Sequence, residues 1–130
     1  MKNRLPVLLG IAAFLLLCAG QAFAHHAFFS TYDHDKLVKI EGTIKEFIWR
    51  NPHSFVRVEA PDDKGDMQTW VIEWAGPTVL AEKGVNGTTL RAGDKVIIEG
   101  HPGRVAENHR MQLQKVERPS DGWKWEGNSQ

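Results

Sequence analysis

Alternating apolar and polar residues predict five β-strands in the middle of the chain. In the first, residues 37–49, Val38, Ile40 and Ile44 fall on one face and polar residues on the other, which is the period-two pattern of a half-buried strand. Gly42 inside this run predicts a bend or bulge. The same pattern predicts further strands at 53–60, 67–75, 95–100 and 109–116.

Turn-forming residues separate these strands. The first break is Arg50-Asn51-Pro52, because proline cannot donate to a strand ladder. A short helix is predicted at 78–83, with Pro77 near its start and Gly84 at its end. Proline, glycine, asparagine, aspartate and histidine mark the other turns, at 61–66, 86–87 and 101–103.

Five strands with one short helix between the third and the fourth are the layout of an OB-fold barrel. A glycine in a long first strand agrees with that layout, because the strand must bend to serve both halves of the barrel. We therefore predict an all-β fold, a small five-stranded OB-like barrel. A five-stranded barrel of another topology is the alternative.

The N-terminus has the three parts of a secretory signal peptide. Lys2 and Arg4 form a basic start, residues 5–19 are almost all apolar, and Ala22-Phe23-Ala24 supplies small residues at a cleavage site. Cleavage after Ala24 predicts export to the periplasm, with secretion as the alternative. An apolar run of about 15 residues is short for a membrane span of ~20, so we expect no stable membrane anchor after cleavage.

These boundaries divide the chain into four parts. We predict a signal peptide at 1–24, an N-terminal arm at 25–36, the OB-like barrel at 37–118 and a flexible tail at 119–130. Cleavage leaves 106 of the 130 residues, the size of one small domain. The single cysteine, Cys18, is lost with the signal, so the mature chain can form no disulfide.

Charge and motifs narrow the function. The chain has 16 basic and 16 acidic residues with no basic block, whereas a nucleic-acid surface needs a basic patch, so no nucleic-acid partner is expected. It carries no nucleophile-elbow, phosphate-loop or zinc-protease motif. A binding protein is therefore favoured over an enzyme, although the sequence leaves that question open.

Five short segments are the most distinctive of the mature chain. They are His25-His26-Ala27-Phe28, Gly42-Thr43-Ile44, Trp49-Arg50-Asn51-Pro52-His53, Trp70-Val71-Ile72-Glu73 and Gly93-Asp94-Lys95-Val96. With these segments the chain resembles a family of small exported bacterial proteins known only as a domain of unknown function. The resemblance implies an exported OB-like barrel and no particular reaction.

Cleavage after Ala24 would make His25 the first residue and a candidate copper ligand. Its α-amine and Nδ1 can close a chelate ring on a metal, and amine and imidazole nitrogens suit Cu(II). The α-amine titrates near ~8, so it is partly available at neutral pH. His26 is a supporting candidate. The alternative is that both histidines simply belong to a floppy terminus.

His53 is the leading candidate for a third metal-binding nitrogen. It follows Asn51-Pro52 at the start of the second strand, where the proline would fix its direction. The alternative is a turn residue whose imidazole bonds to backbone. Weaker candidates are His34, His101 and His109.

Glu73 is a candidate ligand, or an acceptor that fixes a histidine tautomer. A carboxylate opposite an apolar strand face is more commonly on the solvent side.

Aromatic residues at strand ends suggest a second kind of site. OB barrels bind ligands by stacking on exposed rings, although core packing is the commoner use of such rings. We predict Trp49 and Trp74, beside Asn51 and Glu73, as ligand-binding residues. The sequence thus predicts an exported small binding protein with copper as its candidate cofactor. The alternatives are a metal-free domain for a protein or small-molecule partner, and an enzyme that uses copper and oxygen.

Overall fold

The computed structural model describes residues 30–127. This range contains six β-strands, a 3-10 turn and an α-helix that lies wholly within it. The predicted signal peptide, His25 and His26 lie outside the described residues. Within residues 30–127, no helix is long and apolar enough to cross a membrane. The elements are β1 (Val38–Ile48), β2 (Phe55–Pro61), β3 (Met67–Glu73), α1 (Pro77–Glu82), β4 (Lys95–Pro102), the 3-10 turn (Ala106–Asn108), β5 (Arg110–Arg118) and β6 (Trp123–Glu126).

Five of the strands close into a barrel. They follow the order β3-β2-β1-β4-β5 with antiparallel neighbours, and a parallel pairing between β3 and β5 closes the ring. In the closing pair Val71 lies opposite Arg110, Ile72 opposite Met111 and Glu73 opposite Gln112. The predicted all-β fold, a small five-stranded barrel with one short helix between its third and fourth strands, is confirmed.

β1 serves both halves of the barrel. Its residues 38–43 pair with β4 and its residues 43–48 pair with β2. The register shifts between Ile44 and Glu46, so the irregularity lies just beyond the predicted position, Gly42. Gly42 has another role. A Cβ atom there would stand 2.2 Å from the carbonyl oxygen of Glu59, so only glycine permits this close crossing.

The interior is apolar, as the strand alternation predicts. Leu80 of α1 is fully buried and packs into the same cluster as the strand residues. The largest share of the buried side chains is β-branched, which suits a pleated, tightly packed surface. The core consists of Ile40, Ile44, Val56, Val58, Ala60, Trp70, Ile72, Trp74, Leu80, Val85, Leu90, Val96, Ile98, Met111, Leu113, Val116 and Trp125.

The segment predicted as a flexible tail contains a strand instead. β6 pairs antiparallel with the end of β5, placing Trp125 opposite Val116 and Trp123 opposite Arg118. Trp125 is 9% exposed, and its ring meets that of Trp74 edge-on at 5.0 Å between centroids. The polar majority of the tail suggested solvent, but its two tryptophans stand at i and i+2, where the alternation of a strand brings them to one face.

Replacing Trp125 by alanine tests whether β6 stabilises the barrel. Because the indole is buried against Trp74, we expect Trp125→Ala to lower the free energy of unfolding by about 3 kcal/mol. Urea denaturation followed by circular dichroism measures the change. Lys124→Ala, at the exposed neighbouring position, is the matched control and should cost less than about 0.5 kcal/mol. Equally small effects of both changes would show that β6 adds little to stability.

Candidate functional site

A histidine–carboxylate pair lies where the chain enters β2 and leaves β3. Nδ1 of His53 is 2.6 Å from Oε1 of Glu73. Two backbone hydrogen bonds hold the chain there: Ser54 N–H donates to the Ala75 carbonyl at 3.2 Å, and Trp74 N–H donates to the Ser54 carbonyl at 2.8 Å. The position of His53 is therefore set by the backbone pairing of the residue that follows it, Ser54, with the end of β3 and the residues beyond it.

Gly76 allows these two segments to run close together. A Cβ atom at this position would stand 2.3 Å from the carbonyl oxygen of Pro52. Contacts this short are not tolerated, so a side chain here would push Pro52, and with it His53, away from β3. The glycine before α1 thus serves the site as well as the turn.

Glu73 is buried, with 8% of its surface exposed, although it lies on the outer face of its strand. The cover is Tyr32, which is 1% exposed and donates its hydroxyl hydrogen bond to Oε2 of Glu73. Tyr32 is itself anchored by a bridge to Gly103, and the next residue, Asp33, donates from N–H to the Pro102 carbonyl at 2.9 Å. The sequence predicts that this carboxylate faces solvent. In the structure Tyr32 covers it instead.

A positive charge completes the surroundings of this carboxylate. Nη2 of Arg110 is 3.6 Å from Oε2 of Glu73. The parallel β3–β5 pairing explains this contact, because it sets Arg110 two residues from the position opposite Glu73 on the same face. Burying a carboxylate is costly unless donors and opposite charge surround it. His53, Tyr32 and Arg110 supply both.

The pair fixes how His53 can act. A carboxylate accepts hydrogen bonds, so Nδ1 of His53 is the donor in the 2.6 Å contact. In the neutral imidazole Nε2 then carries the lone pair, and it is the nitrogen that would bind a metal or accept a proton. Hydrogen bonding of this kind fixes the tautomer and the orientation of the ring.

Tyr32 is held in its neutral form. Burial of the phenol, together with its hydrogen bond to Glu73, raises the pKa of Tyr32 well above its ordinary value of 10.0. The hydroxyl is therefore a permanent donor at physiological pH.

The structure brings together only part of the predicted site. His53 and Glu73 are in contact, whereas Trp49 is half-buried and meets Phe47 edge-on at 5.7 Å. Asn51 is exposed. Trp74, predicted to bind a ligand, is instead a core residue with 3% of its surface exposed, which leaves almost none of its ring open to a ligand.

The other histidines of residues 30–127, which are His34, His101 and His109, make contacts with further residues. His34 and His101 have ring centroids 4.8 Å apart, and Nδ1 of His101 donates to the Lys36 carbonyl at 2.7 Å. His109 packs edge-on against Trp70 at 5.4 Å. In the part of the chain that the structure describes, no three histidine, cysteine or acidic side chains gather as a metal site would require.

Sequence reasoning did not single out Tyr32 or Arg110. Tyr32 is the chain's one tyrosine, but nothing in its local pattern indicates that it covers a carboxylate on β3. Arg110 looks like an ordinary outward residue of β5. Both assignments require the strand order, in which β3 and β5 meet although 36 residues separate the two strands along the chain.

Removing the Tyr32 hydroxyl tests the buried bond. We expect Tyr32→Phe to lower the free energy of unfolding at neutral pH by about 1.5–3 kcal/mol, as for a hydrogen bond to a charged group. Folding raises the pKa of Tyr32 above its ordinary value of 10.0. The stability that the neutral Tyr32 hydroxyl contributes is therefore fully present below pH 10.0 and is lost as the pH rises beyond that value. The variant should therefore lose less stability than the parent chain above that pH in urea denaturation.

The matched control for this change is the same substitution in a Glu73→Gln background. There the charged acceptor is gone, so Tyr32→Phe should cost clearly less. Equal costs in both backgrounds, or parallel losses of stability at alkaline pH, would contradict the assigned contact.

The match to a known protein family extends over most of the barrel. The chain matches a family of unknown function, DUF6152, over residues 13–112, which include His53 and Glu73 and stop before β6. No curated protein matches the chain. The family resemblance drawn from the sequence is confirmed: the chain belongs to the DUF6152 family of unknown function.

Proposed function

We propose that this protein is exported to the periplasm and binds copper there through a mature N-terminal histidine, His25. The observation that carries the proposal is the partly buried contact between His53 and Glu73, with Nδ1 2.6 Å from Oε1. A histidine that donates one ring N–H to a buried carboxylate is the usual arrangement around a protein-bound transition metal.

The ligand set would be three nitrogens. His25 would contribute its α-amine and Nδ1, and His53 would contribute Nε2, because its Nδ1 is committed to Glu73. Amine and imidazole nitrogens favour Cu(II) among the divalent ions. In this arrangement Glu73 orients His53 rather than binding the metal. His26 is a supporting candidate ligand.

The length of the arm permits this geometry. Tyr32 and His53 bond to the two oxygens of one carboxylate, that of Glu73, so Tyr32 brings the chain close to the site. His25 precedes Tyr32 by only seven residues. An extended chain of that length reaches ~23–25 Å, which is ample for a return to His53.

The first test is the identity of the exported N-terminus. We expect intact-mass spectrometry of protein from the periplasm to give the mass of residues 25–130, because Ala22 and Ala24 form the cleavage signal. Protein from the cytoplasm of cells in which secretion is blocked is the control and should keep residues 1–24. A periplasmic form that begins at any other residue removes the chelating amine from the proposal.

The second test is copper binding by the form that begins at His25. Competition with a chromophoric Cu(II) chelator measures affinity. We expect Glu73→Gln to weaken binding by about 10–100-fold, as for other carboxylates that orient a metal-bound histidine. His53→Ala and one extra residue before His25 should each weaken it further, since each removes a ligand nitrogen.

His109→Asn is the matched control, because it removes a histidine that contacts Trp70 instead of Glu73. Its copper affinity should equal that of the parent chain. Equal affinity with and without the extra N-terminal residue would rule out the amine as a ligand. A chain that begins at His25 and binds no copper would leave the metal-free interaction domain as the function to pursue.

A further inference from the structure

A second cluster of polar side chains lies on the outer face of the barrel, next to Glu73. Gln112 of β5 is opposite Glu73 of β3 and also opposite His101 of β4, so the three positions form one row across three strands. Both neighbours of Gln112 along β5 are core residues, so its own side chain points outward. His34, from the segment before β1, lies against His101 at the far end of this row.

The ring of His101 is held in one tautomer by the backbone. Its Nδ1 is 2.7 Å from the carbonyl oxygen of Lys36 and is the donor, because a carbonyl oxygen can only accept. In the neutral ring Nε2 then carries the lone pair. Metal-binding histidines have this arrangement, in which the other ring nitrogen donates to a carbonyl or a carboxylate. His101 is therefore oriented to bind a cation through Nε2.

The amide of Gln112 supplies a second electron-donating atom. Among residues 30–127, Oε1 of Gln112 has no hydrogen-bond partner, although this atom is buried. A buried acceptor without a partner is costly and requires an explanation, such as a bound water or ion. Since His101 lies directly opposite on the same face, this oxygen and the lone pair of Nε2 belong to neighbouring side chains. A cation between them would satisfy both.

The separation of the two histidine rings fits two ligands of one metal ion. The centroids of His34 and His101 are 4.8 Å apart, and the ring planes are inclined by 49°. Two imidazoles that bind one ion at about 2.0–2.1 Å, with roughly a right angle between the bonds, have centroids about 4.5–5 Å apart. An imidazole has two ring nitrogens, so His34 can keep another contact through one of them and bind an ion through the other.

The positive charges near this cluster are offset by carboxylates. Arg110 lies on the same face of β5 as Gln112, but its guanidinium is 3.6 Å from the carboxylate of Glu73. The ammonium group of Lys36 is 3.0 Å from the carboxylate of Asp33. Neither charge therefore stands uncompensated against a bound cation.

We propose that His34, His101 and Gln112 bind a zinc ion on the outer face of the barrel. The ligands would be one ring nitrogen of His34, Nε2 of His101 and Oε1 of Gln112, with a water in the fourth position of a tetrahedral ion. Because one donor is an amide oxygen, this set differs from groups of three histidine, cysteine or acidic side chains, which residues 30–127 lack. The ion would fasten the segment that carries Tyr32 to β4 and β5. It shares no ligand with the copper proposal, so the two can fail separately.

NMR spectra that resolve each imidazole nitrogen test the proposal directly. Protein purified after expression of the full chain is titrated with Zn(II), and long-range proton–nitrogen spectra report every histidine ring. We expect Nε2 of His101 and one nitrogen of His34 to shift, whereas the ring of His109, which lies against Trp70, should not. Shifts confined to other histidine rings, or no shift up to millimolar zinc, would overturn the proposal.

Zinc affinity then identifies the ligands, measured by competition with a chromophoric chelator. All variants are made in a His53→Ala background, which removes a ligand of the copper proposal and should leave this site intact. His101→Gln should weaken binding at least about tenfold, the smallest loss seen when a partner that only orients a ligand is removed. Gln112→Met, a change of similar size, should also weaken it, whereas Gln114→Met at the next outward position of β5 is the matched control. Unchanged affinity in His101→Gln, or equal affinity in the two methionine variants, would contradict the assigned ligands.

Discussion

The burial of one carboxylate, that of Glu73, governs the outer face of this barrel. A carboxylate removed from water must be surrounded by donors and positive charge, and each partner must then be held in place. Its partners come from three separate segments: Tyr32 from before β1, His53 from before β2 and Arg110 from the start of β5. A single charge thus ties together parts of the chain that secondary structure alone leaves independent.

The barrel provides the geometry that this carboxylate needs. Parallel pairing of β3 with β5 brings Arg110 to the same face as Glu73, and the antiparallel pairing of β2 with β3 places Phe55 opposite it. The loop with His53 then continues the β2–β3 ladder through Ser54, and Gly76 removes the side chain that would separate the two segments. His53 is consequently a residue positioned by backbone, although it lies outside a strand.

The local part of this arrangement is predictable and the long-range part is not. Period-two alternation locates all five barrel strands, because it reports which residues face the core. The alternation also correctly places Glu73 on the outward face of β3. Whether that face is covered depends on the position of Tyr32, which belongs to a different segment of the chain. β6 is the opposite case: its two tryptophans carry the strand signal, but the polar residues around them obscure it. The sequence predicts Trp74 as a ligand-binding residue, whereas its ring packs in the core against Phe47 and against Trp125, which lies 51 residues further along the chain.

A buried charged cluster is a poor means of stabilising a small barrel. Replacing such clusters by apolar residues of similar volume is often neutral or stabilising, because desolvation offsets most of the Coulomb attraction. A phenylalanine at position 32 over an apolar side chain at position 73 would bury the same ring area with no charge to desolvate. What an apolar residue could not do is fix the ring of His53 and keep its proton on Nδ1. The effect of Glu73 on His53, more than on the barrel, is therefore the better explanation for a carboxylate at this position, and it is the same effect that a metal-binding histidine requires.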